Sequence, residues 1–136
     1  MMHDDRMAWL VGRQLQSFVR REFDWVMTFD SEAKLVIECL WRLIEDGRIR
    51  LTSQDDGHQF GLPAPVDAAV EMEKRIAGSL VEAVMLCDGI LDLKISLSNG
   101  HDLQIIPNSS GYEAWTASDG RSQFIAVGGG ELVIFD

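Results

Sequence analysis

The sequence is poor in the residues that announce particular chemistries, with only 2 cysteines, 3 prolines and 1 tyrosine among 136 residues. Cys39 and Cys87 lack CxxC spacing, and each falls in an apolar, strand-like stretch. Buried, reduced thiols are therefore expected, not a disulfide or a nucleophile. No run of about 18 apolar residues occurs, so neither a membrane-spanning helix nor a membrane partner is expected. The polar start Met1-Met2-His3-Asp4-Asp5-Arg6 is not followed by the apolar stretch of a secretory signal, and a cytoplasmic location is expected. Basic residues are scarce as well: 12 Lys and Arg stand against 22 Asp and Glu, a formal net charge of -10. Phosphate affinity depends on clustered Lys and Arg, so nucleic acid is not an expected partner.

Catalytic motifs are missing too. There is no Gly-x-Ser-x-Gly elbow, no phosphate-binding Walker loop and no dinucleotide fingerprint. Gly128-Gly129-Gly130 lacks the following helix that would aim N–H dipoles at a phosphate, and a bulge or tight turn is expected there. His3, Asp4, Asp5, Asp55, Asp56, His58, His101 and Asp102 are possible metal ligands, but no second pair stands at a recognisable interval and all sit where turn residues belong. No catalytic residue, cofactor or metal site is expected.

What is present is a strong β pattern. With 46 % hydrophobic residues, the chain has enough apolar content for one core and is read as a single domain, 1–136. Leu91, Leu93, Ile95 and Leu97 alternate with polar residues, as a half-buried antiparallel strand requires. Asn99-Gly100 follows and suits a type I′ turn, with Asp102 to Pro107 as the return strand. Trp25 to Phe29 and Leu35 to Cys39 form a second hairpin around Asp30 to Ala33. Gln14 to Arg20 and Leu80 to Cys87 are strands ahead of these hairpins, and the second, apolar on both faces, is expected at the centre of a sheet. One helix is expected from Pro65 to Ile76, with Pro65 in its first turn and Gly78 beyond its end. The polar stretch Thr52 to Ala64 joins the two halves.

The halves resemble each other. Leu10-Val11-Gly12 answers Ile76-Ala77-Gly78, the hairpin from Trp25 answers that from Leu91, and Trp41 to Arg48 answers Trp115 to Arg121. Further strands follow, Ile49 to Thr52, Ser122 to Val127 and Glu131 to Phe135. The fold class is therefore α+β, mainly antiparallel β, with two related β-meander half-units, about 8–62 and 74–136, packed together with one connecting helix.

At Gly61-Leu62-Pro63-Ala64-Pro65, Trp41-Arg42 and Ser109-Ser110-Gly111-Tyr112-Glu113-Ala114-Trp115 the sequence resembles a family of small bacterial proteins known only as a domain of unknown function. The resemblance covers nearly the whole chain and supplies no catalytic residues. In size and charge the chain is also similar to small acidic immunity proteins that neutralise bacterial toxins.

Function at this level rests on a candidate interaction patch. Trp41, Arg42, Asn108, Ser109, Tyr112, Glu113 and Trp115 lie in or beside equivalent loops, and aromatic residues with Arg are the material of interface hot spots. A second cluster is Arg13, Arg20, Arg21, Arg42, Arg48 and Arg50. Residues 1–62 hold 8 basic and 11 acidic side chains, against 4 and 11 in 63–136. That asymmetry suits pairing of the Arg-bearing strands with the acidic half of a second copy, or of the acidic half with a basic partner. The expected function is a non-enzymatic protein–protein binding or assembly module, with self-association to a homodimer as one form. The alternatives are an immunity-like inhibitor of a basic bacterial toxin and a small-molecule or metal-dependent enzyme with an unrecognised site.

Overall fold

The computed structural model describes residues 3–136, with side chains from Asp5 onward. Met1, Met2 and the side chains of the ligand candidates His3 and Asp4 lie outside the described residues. The strands are β1 (His3–Asp4), β2 (Leu15–Arg20), β3 (Trp25–Phe29), β4 (Lys34–Ile37), β5 (Leu40–Glu45), β6 (Arg48–Thr52), β7 (Val81–Cys87), β8 (Leu93–Leu97), β9 (Asp102–Ile106), β10 (Trp115–Ser118), β11 (Gln123–Val127) and β12 (Glu131–Phe135). The single α-helix among the described residues, α1, runs Ala68–Ile76.

All pairings are antiparallel and form two sheets. One has the order β12-β11-β10-β4-β3-β2; the other is the five-stranded β7-β8-β9-β5-β6, with the two-residue β1 on the β7 edge. The alternation seen in the sequence sets the inner faces. Trp25, Met27 and Phe29 of β3 and Leu93, Ile95 and Leu97 of β8 are buried, and both sheets contribute to one apolar core.

Each half builds a three-stranded meander in one sheet and then crosses to the other. Thus β2-β3-β4 leads into β5-β6, and β7-β8-β9 leads into β10-β11, so β4 pairs with β10 and β9 with β5. Details repeat down to single hydrogen bonds. Gly12 N–H donates to the Val81 carbonyl at 2.8 Å and Gly78 N–H to that of Leu15 at 2.8 Å, on either side of an isolated bridge between Gln14 and Leu80. The Trp41 to Ile105 register is matched by Trp115 to Ile37, and the bulge after Leu15 by one after Val81. A twofold-like relation with these partners is what two meanders need to cover each other's apolar faces.

Three local expectations are corrected. The helix begins at Ala68, not Pro65, because Val66 exchanges backbone hydrogen bonds with Gly57 and His58 and is held outside it. Asp67 is then the N-cap, its carboxylate accepting from Val70 N–H at 3.2 Å, while Asp56 accepts from Ala68 N–H. The Asn99-Gly100 connection is not a type I′ turn. Only Gly100 of the pair has positive φ, and Leu97 bonds to both Gly100 and His101, which is a type I turn closed by a glycine bulge. Finally, β7 is not central. It lies beside the sheet edge with Glu82 and Ala83 exposed; Val84 and Leu86 face the core opposite Ile95 and Leu93, while Met85 and Cys87 lie on the outer face, where they line a shallow recess with Lys94 and Gln104.

Candidate functional site

The two tryptophans of the expected patch are core residues. Trp41 and Trp115 are 1 % and 0 % exposed, because each begins the hairpin that crosses to the opposite sheet and so lies under the other sheet's strands. Arg42 is separated from the patch as well. It alternates to the outer face of β5, where its Nε donates to Gln104 at 2.5 Å. The remaining four, Asn108, Ser109, Tyr112 and Glu113, do come together and line one open groove of about 450 Å³.

The opposite wall of that groove comes from residues the sequence reading did not select: Phe23, Glu38 and Cys39. Phe23 sits at the tip of the β2–β3 hairpin, where Arg21 N–H bonds to the Asp24 carbonyl at 2.8 Å and leaves a loop of Glu22 and Phe23. So short a loop cannot fold its side chains back, and the Phe23 ring is 82 % exposed; Tyr112, across the groove, is 81 % exposed. A large apolar residue at a tight hairpin tip, where polar residues ordinarily stand, was the signal available in the sequence. The groove continues into a second recess of about 280 Å³ bordered by Arg20, Trp25, Leu40, Ser53 and Gln54.

The corresponding turn of the second half is longer and behaves differently. Cys87 N–H bonds to the Asp92 carbonyl, enclosing Asp88 to Leu91, and Leu91 turns inward with φ of 59° to become 1 % exposed. Its carbonyl accepts the Trp115 indole N–H at 3.0 Å. Trp41 has no such acceptor among the described residues; it meets Phe18 and Trp25 edge to face, with ring centroids 5.2 and 5.1 Å apart. Aromatic bulk in the first half thus stands where the second half folds in its turn.

The groove carries both signs of charge. Arg20 lies over the Trp25 ring at 4.4 Å, and Arg21 grips Asp24 with two hydrogen bonds of 2.6 and 2.7 Å, which holds the Asp24 carboxyl below its ordinary range. Glu38 is raised above its ordinary value, first by partial burial and then by the neighbouring charges of Glu113 and Asp24. Burial pushes the Cys39 thiol up to about 12, so it stays protonated at neutral pH and offers no thiolate. Both cysteines are half-buried and unpaired, where full burial was expected.

The other candidates have local partners. Asp55 accepts from Thr52 N–H, Asp102 stands 3.8 Å from Lys94, His101 3.6 Å from Glu45, and the exposed His58 stacks on Phe60. No three His, Cys, Asp or Glu side chains converge on a metal-sized space among the described residues. The arginines do not form one cluster. Arg13, Arg20 and Arg21 lie at the ends of β2, whereas Arg42, Arg48 and Arg50 belong to the other sheet, with Arg50 3.4 Å from Glu45. No helix among the described residues is long and apolar enough to cross a membrane.

The groove wall 108–113 and the Gly61 to Pro65 loop both fall within a match to a known family model that spans residues 7–136. The chain belongs to DUF6188, a family of unknown function. Comparison with curated proteins and with solved structures found no match. Membership of DUF6188 supplies no reaction or ligand, so the chemistry of the groove has to carry the functional reading.

Proposed function

We propose that this DUF6188 chain is a non-enzymatic protein-binding module whose contact face is the groove between Phe23 and Tyr112. The observation that carries this reading is the pair of exposed aromatic rings flanking a groove of mixed charge. An exposed ring with an apolar body is the usual anchor of a protein interface, and flanking charges set partner and orientation. The high pKa of Cys39 favours binding over thiol catalysis in the same groove.

The test is site-specific photo-crosslinking in cells. A photoreactive amino acid in place of Tyr112 is expected to give one discrete adduct, with a second copy or another protein, and Glu113→Lys is expected to alter its yield. The same probe in place of Phe135, an exposed ring on β12, serves as the control. No adduct at 112, or equal adducts at both sites, refutes the reading.

A further inference from the structure

We infer that the occupant of this groove is a second copy of the chain, with the Phe23 hairpin tip of each protomer seated in the groove of the other about a twofold axis. The inference rests on the protein-binding reading above and names its partner. In the second half the tip of the β7–β8 hairpin folds an apolar side chain inward, Leu91, which is 1 % exposed and forms part of the wall of a recess of about 310 Å³. In the first half the equivalent tip presents Phe23 outward instead. Among the described residues two hairpin tips carry exposed apolar side chains, Phe23 at 82 % and Ile90 at 48 %, and Phe23 is the one that borders this groove.

Self-pairing also follows from how the face is arranged. Ring and groove lie side by side, which is the condition for an isologous contact in which each patch meets its own copy. Arg20 and Arg21 flank Phe23 with Glu38 on the same wall, while Glu113 stands across the groove beside Tyr112. Turning a second copy through a twofold therefore brings its arginines toward Glu113. Glu113 bears on Glu38 as a like charge, and a partner's cation beside Glu113 eases that repulsion. The size is adequate: aromatic side chains bury roughly 150–250 Å² each. Four of them, with an equal area of covered wall, remove on the order of 1,200 Å² from water, the lower end of a specific interface. A dimer of micromolar affinity is expected.

Sedimentation velocity across the micromolar range tests this on the full chain. Wild type is expected to shift from monomer to dimer with concentration. Phe23→Ser is expected to remain monomeric with an unchanged melting temperature, Phe23→Leu to keep the dimer, and Phe135→Ser to behave as wild type. A wild type that is monomeric throughout, or a dimer that survives Phe23→Ser, overturns the inference. If the photo-crosslinker at 112 then captures a different protein, the binding face stands and only the second copy falls; if it captures nothing, both fall.

Discussion

Replacing Gly130 by alanine should damage this fold far more than the same change one residue earlier. A Cβ on Gly130 falls 1.8 Å from the Gly89 carbonyl oxygen and 2.7 Å from its carbon, whereas on Gly129 the nearest atom is the Ser110 carbonyl oxygen at 3.5 Å. Both positions have positive φ, 91° and 85°, so both variants carry a left-handed strain of about 1–2 kcal/mol. Only Gly130→Ala must also displace backbone, and that backbone belongs to the turn holding Leu91. Expelling the buried Leu91 side chain costs roughly 1.5–3 kcal/mol. Loss of the Trp115 indole hydrogen bond adds about 1 kcal/mol. Gly130→Ala is therefore expected to lose about 3.5–6 kcal/mol, against about 1–2 for Gly129→Ala. Urea unfolding followed by circular dichroism reads this directly, since slopes of about 1–3 kcal/mol per molar turn the difference of about 2.5–4 kcal/mol into a midpoint drop of roughly 1–4 M. Equal midpoints for the two variants would refute the packing of the Gly128 to Gly130 turn on the β7–β8 turn.

Other outcomes follow from single interactions. Trp115→Phe should cost about 1 kcal/mol more than Trp41→Phe in the same urea assay, because only Trp115 gives up a hydrogen bond to a carbonyl. With Cys87→Ser as background, Cys39 should resist iodoacetamide at pH 8 in the folded protein and react once urea unfolds it; rapid labelling of the native state contradicts its burial. The folded pKa of Glu38 lies above its unfolded value, so ionised Glu38 opposes folding at neutral pH and the penalty fades as pH falls through the folded value. Glu38→Gln should accordingly raise the melting temperature slightly at pH 7, by a solvent-screened effect under about 1 kcal/mol, and make no difference below about pH 4. Asp67→Ala removes the helix N-cap and should cost about 1 kcal/mol by thermal unfolding; no change would argue against the Ala68 start.

Asn108, Ser109, Tyr112 and Glu113 stand in one loop, and polar residues around an aromatic are visible without coordinates. Trp41 and Trp115 were grouped with them because a tryptophan beside a turn looks the same whether its strand faces a core or a partner. Phe23, Glu38 and Cys39 escaped because they are remote in sequence from that loop, and their strands join it only through the pairing of β4 with β10. The first-half turn also gave little warning, since the difference between Phe23 outward and Leu91 inward depends on loop length.

Local order was set by the chain itself. Period-two alternation fixed which face of β3, β4, β8 and β9 is apolar, and the matching Trp, Asp-Gly and Arg positions set the order shared by the two halves. Sheet membership was decided only by tertiary structure. Alternation says that a face must be covered but not by what, and here each half covers the other by sending its second hairpin across to the opposite sheet. That exchange buries the tryptophans, separates Arg42 from Tyr112, and brings Phe23 and Glu38 to the groove, because residues on different strands meet only when non-local pairing places them there.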